Sequence, residues 1–283
     1  MQSFIKPLPN HWRPADFDLA AAAINQPVQH IAKTVCLLEA RCDDYAEYLR
    51  LIVADRSPQW SDAISQWNAE ECQHGEVLRL LSEAADPAFQ FDSLMERYTS
   101  LVSYHLPTGR SVRGSLSAEL VSRCVVEALA STLYRVMAEA TDQDDSRRVF
   151  TALARDEARH FGMFLRMLNA EAEVIGRIGV VVRCRYAIRR ILALEDEQIM
   201  VASCVVAGRG EAPIHLRSEA NWYIVRSYGL YRWRHLRYAS RMLLQSVGVR
   251  PTIAAVGLCT ITLWVGLKLR WTWARCGRTD GAS

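Results

Sequence analysis

Glu71 and His74 stand one helical turn apart in "WNAEECQHGEVLRLL" (67–81), and Glu157 and His160 repeat the spacing in "LARDEARHF" (153–161). A carboxylate and an imidazole three residues apart share one helix face and can reach the same cation. Each pair interrupts an apolar stripe. One stripe runs Trp60, Ile64, Trp67 and resumes at Leu78 and Leu81; the other runs Phe150, Leu153 and resumes at Phe164 and Met167. Two further stripes carry one acid each, Glu39 between Val35 and Cys42, and Glu127 between Cys124 and Ser131. A lone carboxylate in a core is costly, and four that meet repel one another. Convergence on cations removes the cost for all of them. Glu, Glu-x-x-His, Glu, Glu-x-x-His on four helices is the ligand set of a two-metal carboxylate site, for iron or manganese.

Four helices must position these groups. Strand signals are nearly absent and the 3.6-residue period dominates, so the expected class is all-α. The pattern predicts helices over 27–54, 58–85, 92–104, 115–140 and 144–172, with a turn at 106–111. Ser57-Pro58 supplies a helix start, Asp86-Pro87 a stop, and "TDQDD" a break after residue 140. Short links make the first pair and the last pair antiparallel hairpins, and the long link between them is a crossover. That arrangement predicts a ferritin-like four-helix bundle. The chain divides into an N-terminal extension (1–27), the bundle (28–172) and a C-terminal extension (173–283) with helical stretches near 174–205 and 215–246.

The two histidine-bearing stretches resemble the metal-ligand motifs of the soluble acyl-carrier-protein desaturases, W-x-A-E-E-x-x-H-G-[DE]-x-L and D-E-x-R-H, within the ferritin-like di-iron carboxylate superfamily. The resemblance spans residues 30–170 and is specific at these two motifs. It implies that Glu39, Glu71 and His74 hold one iron, and that Glu127, Glu157 and His160 hold the other. Asp156 and Arg159 would lie behind the ligands, Asp156 orienting an imidazole. Two iron ions, O2, an apolar substrate of acyl type and a separate ferredoxin-like electron donor follow from the same resemblance. Hydroxylase, N-oxygenase and aldehyde-processing activities use the same ligands, and iron storage is the non-enzymatic alternative. One position departs from the family: where it places Thr, three residues after the third-helix Glu, this chain has Ala130. Ser131 follows, on the ligand stripe, where bacterial multicomponent monooxygenases carry a hydroxyl. Ser131 is therefore the candidate catalytic residue, for proton delivery; otherwise it is a small residue making room for substrate. Cys36 and Cys124, each three residues before a ligand Glu, read as pocket-wall hydrophobes, and Tyr134 as a core tyrosine. His105, His215 and His235 match no ligand position.

Charge is lopsided. Residues 1–173 carry 17 Lys and Arg against 25 Asp and Glu, whereas 174–283 carry 17 against 6. The basic half suits an acidic partner, such as an acyl-carrier protein, or an anionic membrane; no nucleic-acid motif is present. Residues 251–267 are uncharged and flanked by Arg250, Lys268, Arg270, Trp271 and Trp273. They fit a helix packed on the bundle, a membrane contact, or a homodimer surface. The eight cysteines form no CxxC pair, and the N-terminus lacks the apolar run of a signal peptide. The expected compartment is therefore cytoplasmic, with reduced thiols, and membrane association through 251–267 stands as the alternative to packing on the bundle.

Overall fold

The computed structural model describes residues 12–19, 24–102, 111–176, 178–193, 197–208 and 216–276. His105, His215 and all but the last residue of the expected turn at 106–111 lie outside these. Among the described residues there are eleven α-helices and no strand. The first six are α1 (Gln26–Glu39), α2 (Cys42–Ile52), α3 (Pro58–Ala85), α4 (Phe91–Leu101), α5 (Leu116–Ala140) and α6 (Asp144–Ile175). The remainder are α7 (Val180–Leu192), α8 (Glu197–Val206), α9 (Leu216–Ser227), α10 (Trp233–Ser246) and α11 (Ile253–Cys276).

Local chemistry sets several of the bundle's helix ends. The Asn25 side chain accepts from the Val28 amide and that of Ser115 from the Ala118 amide, while Pro58 opens α3 where its missing N–H costs nothing. Gly176, at φ +86°, ends α6 in a conformation that side chains resist. The paired segments α1–α2 lie along α3, α5 lies along α6, and α3 closes against α6. The link from α3 to α5 contains α4, which leaves the bundle to pack on α1 and α8. This is the ferritin-like four-helix bundle with a long crossover.

The first bundle helix departs from expectation. The stripe predicts one helix over 27–54, but the chain turns at Ala40–Arg41 and restarts at Cys42. The Ala40 amide donates to the Cys36 carbonyl at 3.0 Å and the Arg41 amide to that of Leu38, three residues back, at 3.1 Å, a tightened last turn. Gly75 of α3 passes against this turn: a Cβ there would stand 3.1 Å from the Ala40 nitrogen. Asp43 and Asp44 then suit the positive N-terminal end of α2. Glu39 is thus the last residue of α1, at a break rather than in mid-helix. The C-terminal stretches are also subdivided, into α7 and α8, and into α9 and α10 across a 3-10 turn at Tyr228–Leu230.

α10 lies along α5, and its Ala239, Met242 and Leu243 join Leu120, Cys124 and Phe164 in one apolar core. α11 is outermost, packed on α9 and α10 by the face bearing Val256, Thr260 and Ala274.

Candidate metal centre

Midway along the bundle the four helices bring six polar side chains into one buried space. Glu71, His74, Glu127, Glu157 and His160 are all at most 4% exposed, and Glu39 is half-buried. Donor atoms of Glu39, Glu71 and His74 lie within 4.8 Å of one another, as do those of Glu71, Glu127, Glu157 and His160. Glu71 belongs to both groups. The structure therefore unites all six residues singled out from spacing, in two overlapping sets.

The imidazoles are oriented alike. His160 turns Nδ1 inward, 3.0 Å from Glu71 Oε1 and 3.6 Å from Glu157 Oε2, and His74 turns Nδ1 to within 3.2 Å of Glu157 Oε1. Each outer nitrogen meets an acid from the opposite helix. His74 Nε2 lies 3.3 Å from Asp156 Oδ2, and His160 Nε2 2.9 Å from Glu70 Oε2. Asp156 and Glu70 each precede a cluster glutamate by one residue, so the support is reciprocal: α6 backs the histidine of α3, and α3 that of α6. Arg159 spans both acids, 2.9 Å from Glu70 and 2.5 Å from Asp156. Trp12, preceding the bundle, donates its indole N–H to Asp156 Oδ2 at 2.8 Å and stacks parallel to His74 at 6.1 Å.

Two further groups hold carboxylates. Arg123, four residues before Glu127 on α5, pairs with it while lying against the rings of Tyr45, Trp67 and Phe164. Such stacking lets a guanidinium lie buried without water. The Tyr134 hydroxyl donates to Glu39 Oε1 at 2.7 Å. Ser131 points elsewhere. Its hydroxyl donates to the Ala154 carbonyl at 2.7 Å and meets the Tyr238 hydroxyl at 3.0 Å, joining α5, α6 and α10. Cys36 and Cys124 are wholly buried, as small apolar groups would be, and His235 is tied to Glu139 on α5.

Protons are distributed unevenly in the cluster. Burial pushes the Glu39 carboxyl well above its ordinary range, reinforced by the charges of Glu71 and Glu157. Burial likewise raises Glu127, with Glu157 and Glu71 adding to it against the opposing Arg123. Burial would leave both imidazoles neutral, but the carboxylates facing them, Asp156, Glu157 and Glu71 around His74 and Glu157, Glu70 and Glu71 around His160, raise both well above the usual value.

The donors fit a pair of cations. Glu71 Oε1, His74 Nδ1, Glu157 Oε1 and His160 Nδ1 are buried without any hydrogen bond, although they lie close together. Lone pairs aimed at shared points rather than at one another produce this pattern. Charge closes as well. Four carboxylates match two divalent ions, and Glu70 with Asp156 matches Arg123 with Arg159.

A rubrerythrin family model matches residues 120–185. The match, to a family of the ferritin-like di-iron superfamily, begins in α5, takes in all of α6 and ends in α7. It includes Glu127, Asp156, Glu157, Arg159 and His160, and it is to rubrerythrin rather than to the desaturases that the motifs resemble. No curated protein matches the chain. Family and geometry agree on a di-iron type of site, into which the buried carboxylate–histidine cluster fits.

Spacing does not single out three of the groups described. Glu70 had a signal: acid-Glu-x-x-His occurs twice, as 70–74 and 156–160, and only the second leading acid stands out beside an arginine. Arg123 offers a weak one, an Arg four residues before a Glu. Trp12 offers none.

Proposed function

We propose that the protein is an O2-dependent di-iron oxidoreductase, with Glu39, Glu71 and His74 at one ion and Glu127, Glu157 and His160 at the other. The observation that carries this is the pair of inward Nδ1 atoms without hydrogen bonds, each backed on Nε2 by an acid of the opposite helix. When bound, the iron pair supplies the redox chemistry with O2. The chain's own residues keep that chemistry in place. Glu71, common to both donor groups, would be within reach of either ion. Arg123 fixes Glu127, and the Glu70–Arg159–Asp156 bridge fixes both imidazoles. Trp12 covers His74 on one side, and Trp67 and Phe164 line the other end, so bulk water is kept out. Tyr134, whose hydroxyl touches Glu39, is the group placed to hold and return a proton at Oε1. Ser131, engaged by Ala154 and Tyr238, serves to pin the helices.

An apolar substrate of acyl type is proposed on the motif resemblance, with electrons from a separate ferredoxin-like protein. Single-turnover O2 consumption by the reduced, iron-loaded protein tests this, with and without an acyl-carrier thioester. Consumption triggered by the thioester supports the oxygenase reading. Consumption indifferent to it, with a ferric mineral as product, would replace that reading with iron storage.

We further propose that the outer face of α11 rests on an anionic bilayer. Among the described residues α11 is the helix long and apolar enough to cross a membrane, at 24 residues. Its outward Ile253, Leu258 and Leu269 are 88%, 68% and 66% exposed. The helix contains no acid, and Lys268, Arg270 and Arg275 lie among Trp264, Trp271 and Trp273 at its far end, the composition of a lipid interface.

A further inference from the structure

Two cysteines that take no part in the cluster meet where α2 passes α3. Cys42 opens α2 and Cys72 lies in the middle of α3, with their sulfurs 3.0 Å apart. Their other contacts are long: Cys42 Sγ to the Asn68 carbonyl at 3.8 Å and Cys72 Sγ to Asp43 Oδ1 at 3.9 Å. Cys72 is exposed and Cys42 is buried, and both are free thiols.

A thiol open to solvent beside a shielded partner is the geometry of an attacked and a resolving cysteine. The sulfurs need to close by only about 1 Å to reach a bond of ~2.05 Å. Asp43 lies close enough for the three residues to form a metal-ligand group. The separation argues against that use, because a tetrahedral zinc with bonds of about 2.3 Å would hold two sulfurs about 3.8 Å apart.

We propose that Cys42 and Cys72 form a reversible disulfide, with hydrogen peroxide as oxidant. The Cys72 sulfur attacks one peroxide oxygen, the O–O bond breaks, and the products are a sulfenic acid on Cys72 and one water. The Cys42 sulfur then attacks the Cys72 sulfur, the S–O bond breaks, and a second water leaves with the Cys42 proton. The two thiols lose two electrons in total and the peroxide gains them. The bond joins the first residue of α2 to α3, just past the Ala40–Arg41 turn, and so restrains the break at which Glu39 is carried.

The test uses the full chain, reduced and then treated with hydrogen peroxide, blocked with iodoacetamide and digested with trypsin. Residues 42–50 and 57–79 emerge as separate peptides with one cysteine each. The expected product is these two peptides linked, lighter by two hydrogens than their sum and released by dithiothreitol. Amide exchange at 40–44 should slow about tenfold in the oxidised protein, and not in peroxide-treated Cys42→Ser. Full alkylation of both cysteines after peroxide overturns the proposal, as does a Cys72 sulfinic acid beside a free Cys42. Linkage found only between chains overturns it too. Zinc that shields both thiols from iodoacetamide in the untreated protein would make the group a metal site instead. An unchanged exchange rate overturns the restraint. None of these readouts requires metal at the glutamate–histidine cluster.

Discussion

His74 and His160 owe their orientation to acids that never face the centre. Replacing Glu70 by Gln, or Asp156 by Asn, leaves every proposed ligand in place but takes the charge from behind one imidazole. Metal affinity should fall by about 10- to 100-fold in each, measured by competition with a chromophoric chelator; unchanged affinity would show the outer acids to be idle. Glu71→Ala combined with His74→Ala goes further and should remove most of the metal found by elemental analysis. Full metal content in that variant would sink the ligand assignment. Acidity acts on the same groups. Without metal, Glu39 and Glu127 hold protons above their ordinary range, and both imidazoles protonate more readily than usual. Cations must displace these protons, so apparent affinity should rise with pH and fall towards acid, steeply because several protons leave together. A titration flat across the neutral range would mean that the protons are not there. The six cluster residues were legible in the sequence because a charge inside an apolar stripe needs a partner. Arg123 was not, since an Arg four residues before a Glu is also the commonplace pattern of an exposed helix pair, and only the three rings around it distinguish the two.

The helix ends were legible where side chains or prolines mark them. Ser57-Pro58 and Asp86-Pro87 bound α3, and Thr141–Gln143 separates α5 from α6. The break at Ala40–Arg41 was not, because no glycine or proline marks it and the apolar stripe runs through it. What makes room for it lies on another helix, at Gly75, where a side chain would meet the Ala40 backbone. Gly75→Ala should push α3 away from the turn, costing about 1–3 kcal/mol as overpacked sites do. Because Glu39 precedes the turn, the same variant should bind metal more weakly. Urea unfolding and metal titration check the two effects, and a fully stable variant would show that the turn gives way freely. Glu119 is an element-scale feature that the stripes do not announce. Wholly buried near the start of α5, it accepts from Tyr45 and Tyr48 of α2 and from Ser111 and Arg113 of the crossover. One carboxylate thus ties the second helix segment to the end of the long link.

The C-terminal helices give the molecule a surface unlike that of its bundle. The full chain should sediment with anionic liposomes, and a chain ending at Val249 should not, while the truncated chain keeps its metal because all six proposed ligands precede residue 161. Sedimentation of neither, with unfolding on truncation, would make α11 a structural cover. At the other end of the chain, Trp12 reaches across 144 residues to Asp156. The oxygen that accepts its indole proton is the one facing His74 Nε2. Two donors share one acceptor, so Asp156 is a weaker base toward the imidazole than it would be alone. A more weakly supported imidazole gives less electron density to whatever ion it holds, and the lower oxidation state gains. On the proposed di-iron reading, the tryptophan would tune the reduction potential from outside the ligand set. Trp12→Phe keeps a ring over His74 and removes the competing proton, and in the iron-loaded protein the midpoint potential should move downward in a redox titration. An unmoved potential would leave Trp12 as a lid alone.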